Sequence, residues 1–385
     1  MNDLNDFCGG GGDFNSMTLD QLRANCQDFG QAFALSTAEI VLLILAVLVG
    51  LFWLLAARRR AGADVGTTVG NTIEGALYAA IGMFAGSGFG LFVAEVVPPD
   101  LLGTIFWLVG GVALLFAIIG AAKGDGDTGG KAAAVVLGVL LAGIAVTLAA
   151  LAYAVPNSGA AGHDYKTYVN IVAIALGLLG ALDGIVAALL RGPHWGAGWA
   201  LVFLNSSWGF FGNILGLGTH LGSYLCWAND GAPDRDNRKA YTLYRRGLTL
   251  RDEPGNRYAF TQGWVMSCDR PGDLEMHEAI HVGQHFLLGP VYVVSHGIWD
   301  ALGALFGVVA YLLKRWFGTR IGFSDAVTKM SYFNNPYEIM AYATHNGARQ
   351  DADTLIIPSP WSFIFMAAWI LGAVGLTIGL VISWT

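Results

Sequence analysis

Long, nearly uncharged apolar stretches constrain this chain more than any other feature. The first is Thr37–Ala57, closed by Arg58-Arg59-Arg60, and further runs follow at 72–97, 101–122, 131–155 and 169–190. Each holds close to the roughly 20 residues that a helix needs to cross hydrocarbon. A last run covers Trp361–Trp384. Three arginines directly after a span predict a cytoplasmic end there, which leaves the acidic segment 1–36 outside. Alternate threading places Lys123, Lys131 and Arg191 inside and Asp100 and Asp164 outside, with Lys166 the one exception. Residues 37–190 therefore read as a five-helix transmembrane region.

Composition agrees with that reading. Only 13% of the 385 residues are charged and the mean hydropathy is +0.53, whereas a soluble domain carries about 25% charge. The chain holds 53 glycines, and glycine inside apolar runs lets helix backbones approach closely. A net charge of −7 offers no basic patch, so the bilayer is an expected partner and nucleic acid is not. Met1–Ser36 lacks a basic stretch before an apolar core, so no cleavable signal peptide is expected; a short helix is expected over Thr18–Phe33. Cys8, Cys26, Cys226 and Cys268 show no paired metal spacing. A Cys8–Cys26 disulfide would persist outside, and Cys226 and Cys268 could pair only if their segment is also outside. Asp183, in the middle of the fifth run, has two readings: a proton or ion site, or a group hydrogen-bonded inside the bundle. Glu74 and Glu95 sit near span ends and are expected to be wetted.

Beyond Arg191 the pattern loosens. Residues 191–227 are apolar but broken by Asn205-Ser206-Ser207, Asn213 and His220. Residues 228–288 are polar, with strand-like alternation over Tyr258–Ser267. A turn at Cys268–Asp273 then leads into a predicted helix capped by Asp273 and running to about Phe286. That helix carries His277-Glu278-Ala279-Ile280-His281. Two histidines four apart share one helical face and can bind one zinc ion, with the glutamate over the metal-bound water as general base. His285 continues the face, but a straight helix cannot wrap three ligands at that spacing around one ion, so it is assigned to packing or outer-sphere hydrogen bonding. Glu338 is the candidate third ligand, in the first turn of a helix that starts after Asn335-Pro336; the plainer reading is a glutamate favoured there by the helix dipole.

These residues form a longer pattern. His277, Glu278, His281, Val282 and Gln284, then Leu288-Gly289-Pro290, then Asn335 through Tyr342, preceded by Phe260-Thr261-Gln262-Gly263, resemble bacterial zincin-like metallopeptidases over roughly residues 256–345. The resemblance implies a small α+β zincin-like domain over 228–345 and a bacterial inner-membrane location. It also implies His277, His281 and Glu338 as Zn²⁺ ligands, Glu278 as base, and the strand 260–263 as the edge along which an extended substrate would lie. An oxyanion stabiliser is also needed near the metal; Tyr342 and His345 are the candidates, with Tyr337 also close in sequence.

The whole chain is thus expected to be mainly α, a polytopic membrane helical bundle with the zincin-like domain near its C-terminus. Topology tests this. Gly289–Phe317 is apolar, and a single crossing there would carry Glu338 to the wrong face. Because His296 and Asp300 sit within it, a re-entrant or interfacial segment is expected. The basic residues between Asn229 and Met276 lean the metal domain toward the cytoplasm. Three functions compete. The first is a membrane-embedded zinc metallopeptidase acting on membrane proteins or peptides. The second is a non-catalytic, metal-stabilised accessory subunit of a larger membrane assembly. The third, a transporter or channel, rests on Asp183 and the broken run.

Overall fold

The computed structural model describes residues 64–124, 127–154, 163–191, 197–226, 242–244, 259–268, 272–319, 321–344 and 361–384. The expected first span, the N-terminal segment with Cys8 and Cys26, and His345 lie outside these. Helices fill the remaining apolar runs: α1 (Val65–Val96), α2 (Pro99–Lys123), α3 (Thr128–Ala154) and α4 (His163–Arg191). The broken run becomes α5 (Ala197–Ser206) and α6 (Phe210–His220), which continues as a π turn through Leu225. The two helices meet at 107°. Three short strands follow: β1 (Thr242–Tyr244), β2 (Phe260–Gln262) and β3 (Val265–Ser267). The C-terminal part holds α7 (Asp273–Leu288), α8 (Pro290–Trp316), α9 (Phe323–Thr328, prolonged by a π turn to Phe333), α10 (Pro336–Thr344) and α11 (Trp361–Trp384). Among the described residues six helices are long and apolar enough to cross a membrane, which is compatible with a multi-pass membrane protein.

Small residues set how tightly α1 and α4 pack. A Cβ on Gly82 would lie 2.0 Å from the Gly180 carbonyl oxygen, and one on Gly184 would lie 2.1 Å from that of Tyr78. Only glycine permits backbones this close. Beside this seam Asp183 is fully buried and accepts a hydrogen bond from Ser206 Oγ at 3.4 Å. Glu74 corrects one expectation. It is 2% exposed rather than wetted: it lies inside α1, about nine residues from the helix start, on the same face as Tyr78 one turn later, whose carbonyl meets Gly184 of α4. The aromatic core lies where α1, α2 and α6 meet: Phe89, Phe106, Phe210 and Phe211 are all buried, with Phe211 edge-on to both Phe89 and Phe106.

The sheet has the order β1-β3-β2, with β1 parallel and β2 antiparallel to β3. Gly263 and Trp264 form the two-residue loop between β2 and β3, and φ of +60° at Gly263 suits the Gly-first hairpin turn. Trp264 is fully buried, its indole N–H donating to Asn213 Oδ1 at 2.6 Å, so the hairpin is anchored on α6. Cys226 and Cys268 are buried and form no disulfide.

Residues 290–316 form one unbroken helix, without the break a re-entrant loop would show. Glu338 is brought back by a different device. The chain turns after α8, and α9 with its π turn runs back along the same helix. Tyr311 packs edge-on against Phe323, a Cβ on Gly307 would meet Val327 Cα at 2.6 Å, and one on Gly303 would meet Met330 O at 2.7 Å. The return limb is tied down by the two polar residues of the apolar run. Asn335 Nδ2 donates to Asp300 Oδ1 at 3.2 Å and to His296 Nε2 at 3.3 Å. His296 Nδ1 in turn donates to Asp300 Oδ2 at 3.0 Å.

Candidate metal centre

Helix α7 begins at Asp273, one residue earlier than a cap there would require; Gly272, with φ of +94°, takes the cap position. Along α7 the 3.6-residue repeat directs His277, Glu278, His281, Gln284 and His285 inward, and all are buried. Helix α10 lies against this face. Asn335 Oδ1 accepts the Tyr337 N–H at 3.0 Å, capping α10 and placing Glu338 in its first turn. The chain thus crosses about 60 residues of intervening sequence to set a carboxylate against two imidazoles.

His277 Nε2 stands 3.0 Å from Glu338 Oε2, His281 Nε2 stands 3.4 Å from Glu338 Oε1, and the two Nε2 atoms are 3.3 Å apart. Ligands bound tetrahedrally to zinc at about 2.0–2.1 Å would be separated by about 3.3–3.4 Å. His277, His281 and Glu338 therefore form a group whose ligand atoms converge on one point and can hold a metal ion. The donor set, two neutral-capable imidazoles and a carboxylate, suits zinc and leaves a fourth position.

Electrostatics point the same way. Burial pushes His281 down, but the charge and hydrogen bond of Glu338, followed by Glu278, outweigh it and raise its pKa to about 9. Burial raises Glu338, yet the facing His281 and then His277 hold it well below the usual carboxylate range. Glu278 is raised, by burial first, with Glu338 adding to the shift while His281, His277 and the Thr261 hydrogen bond oppose it. Two buried carboxylates around two imidazoles require positive charge, and either a proton or a metal ion supplies it.

The surroundings fix orientation. His281 Nδ1 donates to Gln284 Oε1 at 2.9 Å, which leaves Nε2 free as a ligand, and Gln284 Nε2 donates to the Tyr337 carbonyl at 3.0 Å. The Tyr292 hydroxyl stands 3.4 Å from the same His281 nitrogen. Thr261, on β2, donates to Glu278 Oε2 at 2.8 Å and to the Glu278 carbonyl at 3.1 Å, so the strand edge and the glutamate are joined. The Tyr342 ring packs on His277 with centroids 4.3 Å apart. Its phenol is raised to about 12, chiefly by burial and then by Glu338, so it is a hydrogen-bond donor at neutral pH.

Among the residues singled out in the sequence, His277, Glu278, His281, Glu338 and Tyr342 come together. His285 does not reach the ligand point. It fills space beside α6, where a Cβ on Gly212 would lie 2.3 Å from its ring, and burial drives its pKa down to about 4 against the opposing Gly209 backbone. Tyr337 stacks on His296 and bonds Ser295, away from the metal point. Thr261, Gln284 and Tyr292 had no role assigned from sequence. For Gln284 the spacing to His281, one turn along the same face, was a usable signal. Thr261 stood in the strand of the resemblance without a bond to Glu278 being foreseen; for Tyr292 no signal existed. Comparison with family models, curated proteins and solved structures finds no match.

Proposed function

We infer that this chain is a membrane-embedded zinc-dependent metallopeptidase. The observation that carries the reading is the joint placement of His277, His281 and Glu338 at tetrahedral-edge distances with the Glu278 carboxylate fastened beside them by Thr261. A small zincin-like unit, made of the β2–β3 hairpin, α7 and α10, is the architecture this reading implies. Bound zinc would acidify a water molecule and polarise the scissile carbonyl. Glu278 takes the proton from the attacking water as the new C–O bond forms, then delivers it to the departing amine nitrogen as the C–N bond breaks. Thr261 holds the receiving oxygen in place, and Gln284 keeps His281 in the tautomer that presents Nε2. The protonated Tyr342 phenol, whose ring packs on His277, is the donor assigned to the developing oxyanion.

The test uses purified full-length chain, metal analysis and a labelled peptide library. Wild type should carry one zinc and cleave. Glu278→Gln should keep the zinc and lose cleavage by about 10²–10⁴-fold. Full zinc content with cleavage untouched by that change would overturn the mechanism. Zinc content with no cleavage by either protein would favour a metal-stabilised accessory subunit.

A further inference from the structure

Three independent contacts bear on where this centre sits relative to the apolar helices. First, Phe260 of β2 packs on Phe116 of α2 with ring centroids 5.8 Å apart. Phe116 lies about 10 Å, at 1.5 Å per residue, inside the Lys123 end of that helix. Second, a Cβ on Gly218 would meet Ala113 Cα at 2.8 Å, so α6, which carries the hairpin through Asn213 and Trp264, crosses the middle of α2. Third, Tyr337, the residue before Glu338, shares a buried cluster with Ala373, at the midpoint of α11. Both α2 and α11 thus meet residues beside the centre within their lengths rather than beyond their ends.

The outer face of α7 adds a chemical argument. Met276 and Leu287 are 52% and 62% exposed. Between them on the same face lie the partly exposed Ile280 and the exposed Gly283. No charged or polar side chain interrupts this stripe. A metal helix with water at its back would carry polar residues there, whereas one with lipid at its back would carry these.

We propose that the centre operates inside the hydrocarbon layer, on a stretch of membrane-embedded polypeptide drawn out of its helix and laid beside β2. This rests on the peptidase reading above and names its substrate class. The reaction consumes one water: its oxygen joins the carbonyl carbon, the C–N bond breaks, and one proton travels through Glu278 to the amine. A substrate span must unwind to present its bond, because a helix keeps its carbonyls paired internally; glycine and proline within the span lower that cost.

Two measurements separate the failure of this proposal from the failure of the peptidase reading. For depth, full-length chains lacking the native cysteines carry Met276→Cys or Leu287→Cys, are spin-labelled, and are reconstituted in phosphatidylcholine vesicles. Zinc retention identifies folded protein, and two positions guard against loss of either variant. Labels more accessible to oxygen than to a water-soluble nickel chelate support the proposal. Labels open to the chelate, or shielded from both reagents as by a second copy, overturn it without touching the enzyme reading. For substrate class, a single-span peptide with a Gly-Pro pair is co-reconstituted, and a soluble peptide of the same scissile sequence is run in parallel. Cleavage mapped within the span, with kcat/KM about tenfold or more above the soluble peptide, supports the proposal. Equal cleavage of the soluble peptide, or a cut in the water-exposed flank, overturns it and leaves a peptidase. Cleavage of neither by zinc-loaded protein overturns both.

Discussion

The α1–α4 seam and the metal centre both bury charge among apolar helices, and they tolerate it by opposite means. At the seam, Asp183 and Glu74 are buried on helices whose backbones touch through Gly82 and Gly180, and among the described residues they belong to no group of converging ligand atoms. Packing comes first there, and the acids are accommodated within it. At the centre, His277, Glu278, His281 and Glu338 converge on one another, with ligand atoms 3.0–3.4 Å apart. Charge comes first there, and α7 and α10 are placed to serve it. Buried ionisable groups therefore mark a metal site only when their ligand atoms aim at a common point.

Three changes would break or sharpen that contrast. The largest effect is expected from His277→Ala. It removes a ligand and leaves Glu278 and Glu338 buried with one imidazole between them, which should cost about 3–5 kcal/mol of stability and abolish zinc retention. Thermal unfolding in detergent with metal analysis would show both, and an undiminished melting temperature would contradict a charge-built site. Next, Gly82→Leu forces side-chain atoms into the Gly180 backbone and should destabilise the seam by about 1–3 kcal/mol. Zinc content should hold in the molecules that remain folded. Parallel loss of zinc would mean that the two regions are one cooperative unit.

The smallest effect is a pH dependence. His281 in the metal-free protein is raised to about 9, so its stabilisation is fully present below the ordinary value near 6.5. It is lost as pH rises through about 9. Zinc must displace that proton, so apparent affinity should climb about tenfold per pH unit and level off near pH 9. Stripping the metal should accordingly lower the melting temperature more at pH 9 than at pH 6.5. A flat titration of zinc affinity over that range would argue against His281 as a ligand.

Much of this was readable locally. The apolar runs announced the long helices, because helix length across hydrocarbon is set by rise per residue alone. His277 and His281 were legible as a pair for the same kind of reason: four residues along a helix is one turn. Asn335-Pro336 likewise marked the start of α10, and the Asn335 cap accounts for it. The Gly272 cap, the parallel strand β1 and the burial of Glu74 were not legible. The strand depends on a neighbour distant in sequence, β3. Glu74 lies on the α1 face whose Tyr78 meets Gly184 of α4. The Gly272 cap rests on a left-handed φ that no residue pattern announced.

Glu338 divides the two kinds of information most clearly. The sequence alone determined that a carboxylate begins a helix after Asn-Pro, and that a long apolar run stands between it and the histidines. Whether the two could meet was decided only in three dimensions. The α8 helix does not break, and α9 returns along it, closed by Gly303, Gly307 and the Asn335–Asp300–His296 hydrogen bonds. Local periodicity specifies a helix and its faces, because it depends on residues within a turn or two. The direction in which a chain returns depends on close approaches between residues about 20 to 40 positions apart.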